Sequence, residues 1–207
     1  MFDPGLREYG WKTADSSSDH AYTLPAIVKL LPRGRLTVLD AGCGNGAIAG
    51  KLSEMGYQVT GIDLSEDGIA IAKDSHPGVH FEVASVYDDL RPLLAEVDIV
   101  VSSEVIEHLY YPQRYLANMY SMIKPGGAII LTTPYHGYWK NLALSIANYW
   151  DKHHTVDWEG GHIKFFSQRT LTDMLLSCGF SRIIFNNAGR IPWLWKSMVC
   201  RAQRTKF

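Results

Sequence analysis

The sequence predicts an α/β fold, a three-layer sandwich in which helices cover both faces of a mostly parallel sheet. Three observations predict it. Short apolar strands alternate with helices between residues 35 and 133, a glycine-rich turn follows the first strand, and an acid ends the second.

Each element has its own signal. Leu24–Leu31 reads as a short helix, stopped by Pro32 and Gly34. Arg35–Asp40 is a buried strand entering the glycine turn, Ala47–Met55 a helix, and Tyr57–Ile62 the second strand. Ser65–Asp74 is a helix whose first turn carries Ser65, Glu66 and Asp67, which suit its N-terminal dipole. Val79–Ala84 and Val97–Val101 are the third and fourth strands, the fourth being the shortest. Arg114–Ile123 is a helix closed by a Pro-Gly-Gly turn at 125–127, and Ala128–Thr133 is the fifth strand. The rhythm breaks over 134–166, which reads as a small helical cap insertion. Ser167 opens a helix to Ser177, Phe180–Phe185 is a strand, and a last strand falls around Lys196–Arg201. The chain is read as one domain over 1–207, with an N-terminal arm and helix over 1–34. Tyr9 and Trp11 leave two readings of that arm open, a tail or a flap over a site.

Composition narrows the function. Of 207 residues, 20 are Lys or Arg and 21 Asp or Glu, so no global basic field is available to hold nucleic acid. Hydrophobic residues at 46% and charged residues at 20% fit a globular chain with a substantial core. Cys43, Cys178 and Cys200 are odd in number and far apart, which suits a reducing compartment better than a disulfide scaffold. The opening residues, MFDPGLREYG, carry no basic-then-apolar leader, and no apolar run approaches the ~20 residues that span a bilayer. A cytoplasmic location is expected.

The segment VLDAGCGNGAIAG, residues 38–50, carries the chemistry. A strand ends at Asp40, and Gly42, Gly44 and Gly46 let the backbone turn sharply and approach a ligand. The next helix presents its N-terminus to that space. One strand later Asp63 can accept both hydroxyls of a ribose outside the carboxyl edge of the sheet, with Leu64 against an adenine face. The same string also satisfies a GxGxxA dinucleotide pattern. Asp40 argues against that, because a carboxylate at the mouth of the turn would repel a pyrophosphate and attract an amine. An ammonium at one end and a ribose at the other describe S-adenosylmethionine.

These residues resemble the class I S-adenosylmethionine-dependent methyltransferases over about 36–133. VLDAGCGNGAIAG is similar to their first motif and TGIDLS to their acidic second. VVSSEVIEHL resembles the segment after their fourth strand, and IKPGGAIILTTP the turn and fifth strand. EVIEHL and HIKFFS further resemble the small-molecule subgroup that includes the ubiquinone-biosynthesis O-methyltransferases. The resemblance implies a Rossmann-like seven-stranded sheet with an antiparallel last strand. It implies that Asp40, Gly42, Gly44 and Gly46 surround the methionine part and that Asp63 and Leu64 hold ribose and adenine. Ser85 and Val86 would border the adenine edge, and Ser103 and Glu104 would lie beneath the methionine. Many members carry Asp where this chain has Ser85, so its hydroxyl, or Asp88, would take the adenine amine.

Methyl transfer mainly needs alignment, plus a base where the acceptor is a hydroxyl. His136 and His162 are the leading candidates, and His108 reads as structural. No metal site is expected, although His153 and His154 lie beside Asp151 and Asp157. In YWKNLALSIANYW, Trp139, Leu142, Ala143, Ile146 and Trp150 recur at helical spacing. A cap packed on the core, a lid over an apolar acceptor and a weak membrane-surface contact through 138–150 remain the readings of that stripe. The expected reaction is methylation, chiefly on oxygen, of a small apolar or aromatic acceptor. An NAD-dependent oxidoreductase and a non-catalytic module on the same fold are the alternatives.

Overall fold

In the computed structural model, residue 11 and residues 20–154 and 161–206 are described. Among them a seven-stranded sheet runs in the order β3-β2-β1-β4-β5-β7-β6. Its strands are β1 (Thr37–Ala41), β2 (Gln58–Asp63), β3 (His80–Val83), β4 (Val97–Ser103), β5 (Ile123–Pro134), β6 (Phe180–Phe185) and β7 (Ser197–Arg204). β7 lies antiparallel between β5 and β6, and the other pairings are parallel, as the family resemblance implies.

Alternation along the strands splits the core into two layers. Leu39, Ile129 and Leu131 face α4 (Pro112–Met122) and α7 (Gln168–Ser177), meeting Tyr115, Leu116, Met119, Leu171 and Leu175. Val38, Ile99, Val101 and Ile130 face the other way, onto α1 (His20–Leu30), α2 (Ala47–Glu54) and α3 (Glu66–Ser75). Ser65 caps α3 by accepting from the Gly68 amide, and Ser167 caps α7 in a reciprocal box with Thr170. In the insertion, α5 (Tyr138–Ile146) and α6 (Trp150–His154) form the helical cap.

Several boundaries differ from the sequence reading, α1 among them, which starts at His20 rather than Leu24, and three of the differences have a visible reason. The fourth strand is not the shortest; it runs to Ser103 because its polar end is paired, with Ser102 Oγ donating to Ala41 O at 2.7 Å. The four-residue β3 is the shortest. The Pro-Gly-Gly segment does not separate helix from strand but bulges out within β5. Ile123 pairs with Val97 and Ala128 with Ile99, so the intervening residues loop away, with Gly126 at φ +85. The last strand continues to Arg204, whose guanidinium donates to the Ile123 carbonyl and, at 3.0 Å, to that of Tyr120.

At the amino edge of the sheet Asp98 ties three strands together. Its Oδ2 accepts from the Thr37 amide at 2.9 Å and hydroxyl at 2.8 Å, and its Oδ1 pairs with Lys124 Nζ at 2.9 Å. This half-buried network lies far along the strands from the carboxyl edge. Asp98→Ala is expected to lower unfolding stability by about 1–3 kcal/mol in urea titration, because it strands the Thr37 and Lys124 donors, while leaving ligand binding at the opposite edge intact.

Candidate functional site

The site is built where β1 and β4 part company and their connections leave to opposite sides of the sheet. The chain leaves β1 through the glycine turn, whose Gly42 and Cys43 amides donate to Ile62 O at 2.8 and 2.9 Å. The turn is thereby pinned to β2. Gly44 and Gly46 adopt φ +53 and +79, and Gly46 is also the residue from which α2 starts. The Trp11 indole packs against Gly44 and Gly68, so any side chain at Gly44 would collide with it. Of the two arm aromatics, Trp11 therefore lies on the glycine turn, while Tyr9 falls outside the described residues.

Asp63 braces this turn. Its Oδ2 accepts from the Gly44 amide at 2.8 Å and its Oδ1 from the Ser65 amide at 2.9 Å. Each oxygen keeps a lone-pair direction for a further donor. Next to it Leu64 is half exposed. Ser85 is occupied locally: its amide donates to Asp88 Oδ2 at 2.8 Å and its Oγ accepts from the Tyr87 amide at 3.1 Å. Asp88 therefore shapes the loop around Ser85, and Val86 is buried beneath it.

Asp40 differs from every other acid nearby except Glu107. It is 1% exposed, and neither carboxylate oxygen has a hydrogen bond of ordinary geometry. Burial, and then the charge of Asp63, push its carboxyl up to about 7, with the Ala49 amide relieving this in part. On the β4 side, Ser103 Oγ lies 2.9 Å from Thr132 Oγ1, which donates to Glu104 Oε1 at 2.8 Å. Glu104 itself adopts φ +54, a conformation costly for a residue with a side chain. Its amide donates to Thr132 Oγ1 at 3.0 Å, which holds it there.

The insertion adds a second wall. His136 follows β5, is buried, and stacks on His154 with ring centroids 5.5 Å apart. Burial first, and then Lys140 and the neighbouring histidines, lower its pKa to about 3, which leaves the ring neutral. A base with so low a pKa is a weak proton acceptor. The His162 ring meets His108 instead, edge-on with centroids 4.9 Å apart. His108 Nδ1 is 3.3 Å from Gly161 O, in keeping with a structural part. Glu107, His108 and His162 each offer a ligand atom within 4.8 Å of the others, a spacing that suits a metal ion. The sequence reading weighed His153 and His154 with Asp151 and Asp157 instead, and Asp157 lies outside the described residues. Burial, then the charge of Glu104, holds the Glu107 carboxyl well above the usual carboxylate range.

The sequence reading gives no site role to Glu107, Thr132 or Lys140. The spacing Glu104-x-x-Glu107 was a usable signal, since three residues nearly complete a helical turn. For Lys140 the signal was one basic residue inside an apolar helix. The helix itself is turned opposite to a core cap. Lys140 is its buried residue, whereas Trp139 and Ile146 are 59% and 79% exposed.

The comparisons agree with this geometry. A family model described as a methyltransferase domain matches residues 18–183. The chain is 36% identical over 152 residues to a ubiquinone biosynthesis O-methyltransferase of Bradyrhizobium diazoefficiens, covering 69% of this chain and 57% of that one. It is 29% identical over 181 residues to one from Ruegeria pomeroyi, covering 79% and 68%. The chain thus spans little more than half the length of the first of these relatives. Among solved structures, a putative methyltransferase of Bacillus halodurans superposes with a TM-score of 0.68 at 15% identity, covering 88% of this chain and 98% of that one. The magnesium protoporphyrin IX methyltransferase of Synechocystis, solved with bound SAH, superposes at 0.67 and 18% identity, covering 88% and 80%. These two likenesses establish the fold.

The raised carboxyl of Asp40 has a sign that can be checked. A native pKa above the unfolded one stabilises the fold at low pH and loses that contribution as pH rises through about 7. Asp40→Asn, uncharged throughout, should therefore melt above the wild type near pH 8 in ligand-free form, with the gap closing toward about pH 4. A variant that melts lower at both ends would contradict the strained-carboxylate account.

Proposed function

The chain belongs to the methyltransferase-domain family, and from that premise we propose that it transfers a methyl group from S-adenosylmethionine to an oxygen of a small molecule with an aromatic or apolar body. The observation that carries the cofactor is Asp40, a buried carboxylate with two unpartnered oxygens at the mouth of a glycine turn. An ammonium group supplies the missing partner, and a pyrophosphate would not. When bound, the cofactor supplies an electrophilic methyl on its sulfonium.

The chain's own residues do the rest. Asp40 takes the ammonium, with Gly42, Gly44 and Gly46 admitting the methionine part close to the backbone. Asp63, already oriented by two amides, accepts from the ribose hydroxyls, and Leu64 lies along the adenine. Ser85 and Val86 border the adenine edge, and Ser103 and Glu104 floor the methionine end. His162 is the better placed proton acceptor of the two candidates, because it stands beside buried Glu107. His136 positions the acceptor as a neutral hydrogen-bond partner. The family names of the curated relatives support an oxygen acceptor.

Among the described residues no helix is long and apolar enough to cross a membrane. The reading takes the outward stripe of α5, with Trp139 and Ile146, as a shallow membrane-surface contact that would admit apolar acceptors. Double substitution of Trp139 and Ile146 by serine should reduce co-sedimentation with phospholipid vesicles several-fold while sparing cofactor affinity. Equal sedimentation would remove the membrane from the proposal.

Titration calorimetry tests the central reading. S-adenosylmethionine and S-adenosylhomocysteine should bind with micromolar affinity and NAD should not. Asp63→Ala should weaken both sulfur ligands by about tenfold or more, since it removes a charged acceptor from two hydroxyls. Binding of NAD alone would instead favour an oxidoreductase.

A further inference from the structure

On the insertion side of the crevice, basic groups converge with little acid among them. His136, His153 and His154 lie close enough to Lys140 for its charge to disfavour their protonation. Arg190 and Lys196 add to the field at Lys140, and Glu104 is the acid that opposes it there. His162 contributes at His136. These groups come from the turn after β5, from α5 and α6, and from the segments before α7 and β7, so no single element gathers them.

Their burial makes the arrangement informative. Lys140 is 5% exposed and, among the described residues, forms no side-chain hydrogen bond or ion pair. His136 and His154 are more than nine-tenths buried. His136 Nε2 and both ring nitrogens of His154 are buried with no hydrogen-bond partner. Such groups lose solvation and gain nothing within the protein. The first turn of α5 adds to the deficit, because Gly137 offers no side chain to cap its amides. Aromatic surface frames the same place. Phe165 meets His136 and His154 edge-on at 5.1 and 4.9 Å, and Trp150 lies 4.7 Å from the His154 ring.

The methyltransferase reading above gives this place an occupant, and the inference rests on that reading. We propose that the insertion side of the crevice binds a carboxylate carried on the acceptor's ring, with Lys140 as its counter-ion and His136 and His154 as its hydrogen-bond partners. Two carboxylate oxygens can take the Lys140 ammonium and ring N–H donors, while Phe165 and Trp150 flank the ring. A single buried lysine and neutral imidazoles match one negative charge. A phosphate dianion would call for a buried guanidinium, and Arg190 is exposed. The acceptor is then an aromatic acid rather than a wholly apolar molecule.

The test uses the full chain saturated with S-adenosylhomocysteine, titrated with 4-hydroxybenzoate and its neutral isostere 4-hydroxybenzamide. The acid should bind about tenfold tighter or better, as a charge-assisted contact requires, and Lys140→Met should bring the two within about twofold. Near pH 8, binding the acid, but not the amide, should draw protons from buffer, measured in buffers of different ionisation enthalpy, because burial lowers Lys140 to about 8 and an anion favours its charged form. If Lys140→Met does not fold, His154→Phe keeps the aromatic packing, removes both ring nitrogens and should cut the preference in the same direction. Equal affinity for acid and amide, or a preference that survives these substitutions, overturns the proposal. Tighter binding of phenyl phosphate than of the acid overturns the carboxylate assignment. Failure to bind S-adenosylhomocysteine at all would instead sink the methyltransferase reading.

Discussion

A carboxylate buried at the end of a central strand, with no hydrogen bond of ordinary geometry, is the constraint around which this molecule is arranged. Asp40 sits between β2 and β4, the point where the sheet's connections diverge, with the start of α2 beside it. The glycine turn above it offers the buried side chains of Cys43 and Asn45 but no cation. Asp63 cannot neutralise it, since a second carboxylate raises its cost. Among the described residues only the Ala49 amide offsets the cost, and under the proposed function the cofactor's ammonium would offset the rest. The two-layer core then serves as the rigid support that keeps Asp40, Asp63 and Glu104 from relaxing away from one another.

Asp63 shows how one residue can serve the fold and, under the proposed function, the ligand. Its two amide contacts bind the glycine turn to the start of α3, so the carboxylate is oriented before any ligand arrives. Glu104 does the same on the far side, held in a left-handed conformation by Thr132 from the neighbouring strand. Strain at that position is sustained because a strand-to-strand hydrogen-bond chain over-determines it.

The legible part of the sequence was its framework. Strand–turn–helix alternation, the three glycines and the acid ending β2 are local signals, and local signals survive without coordinates. That is why the sheet, its mostly parallel sense and the positions of Asp40, Asp63 and Glu104 could be read early. The illegible part depended on distant pairing. Nothing in the sequence near Pro125 says that β5 bulges rather than ends, because the register with β4 decides it. Thr132 becomes a site residue only when β5 lies beside β4. Glu107 and His162 are separated by the whole of α4 and β5, and only the fold sets them together.

The cap helix shows most clearly where periodicity misleads. Apolar residues at helical spacing usually mark a buried face, yet in α5 the stripe faces out and the single lysine faces in. A buried lysine beside partnerless histidines costs stability, so packing alone would have turned the helix the other way. An inward lysine and an outward aromatic stripe are compatible if each face has a partner that is not part of the chain: an anion on one side and an apolar surface on the other. The helix orientation, the low basicity of His136 and the unpaired carboxylate of Asp40 then have one common physical origin. Each involves a polar group that the fold has desolvated, and the proposed cofactor and acceptor would complete it.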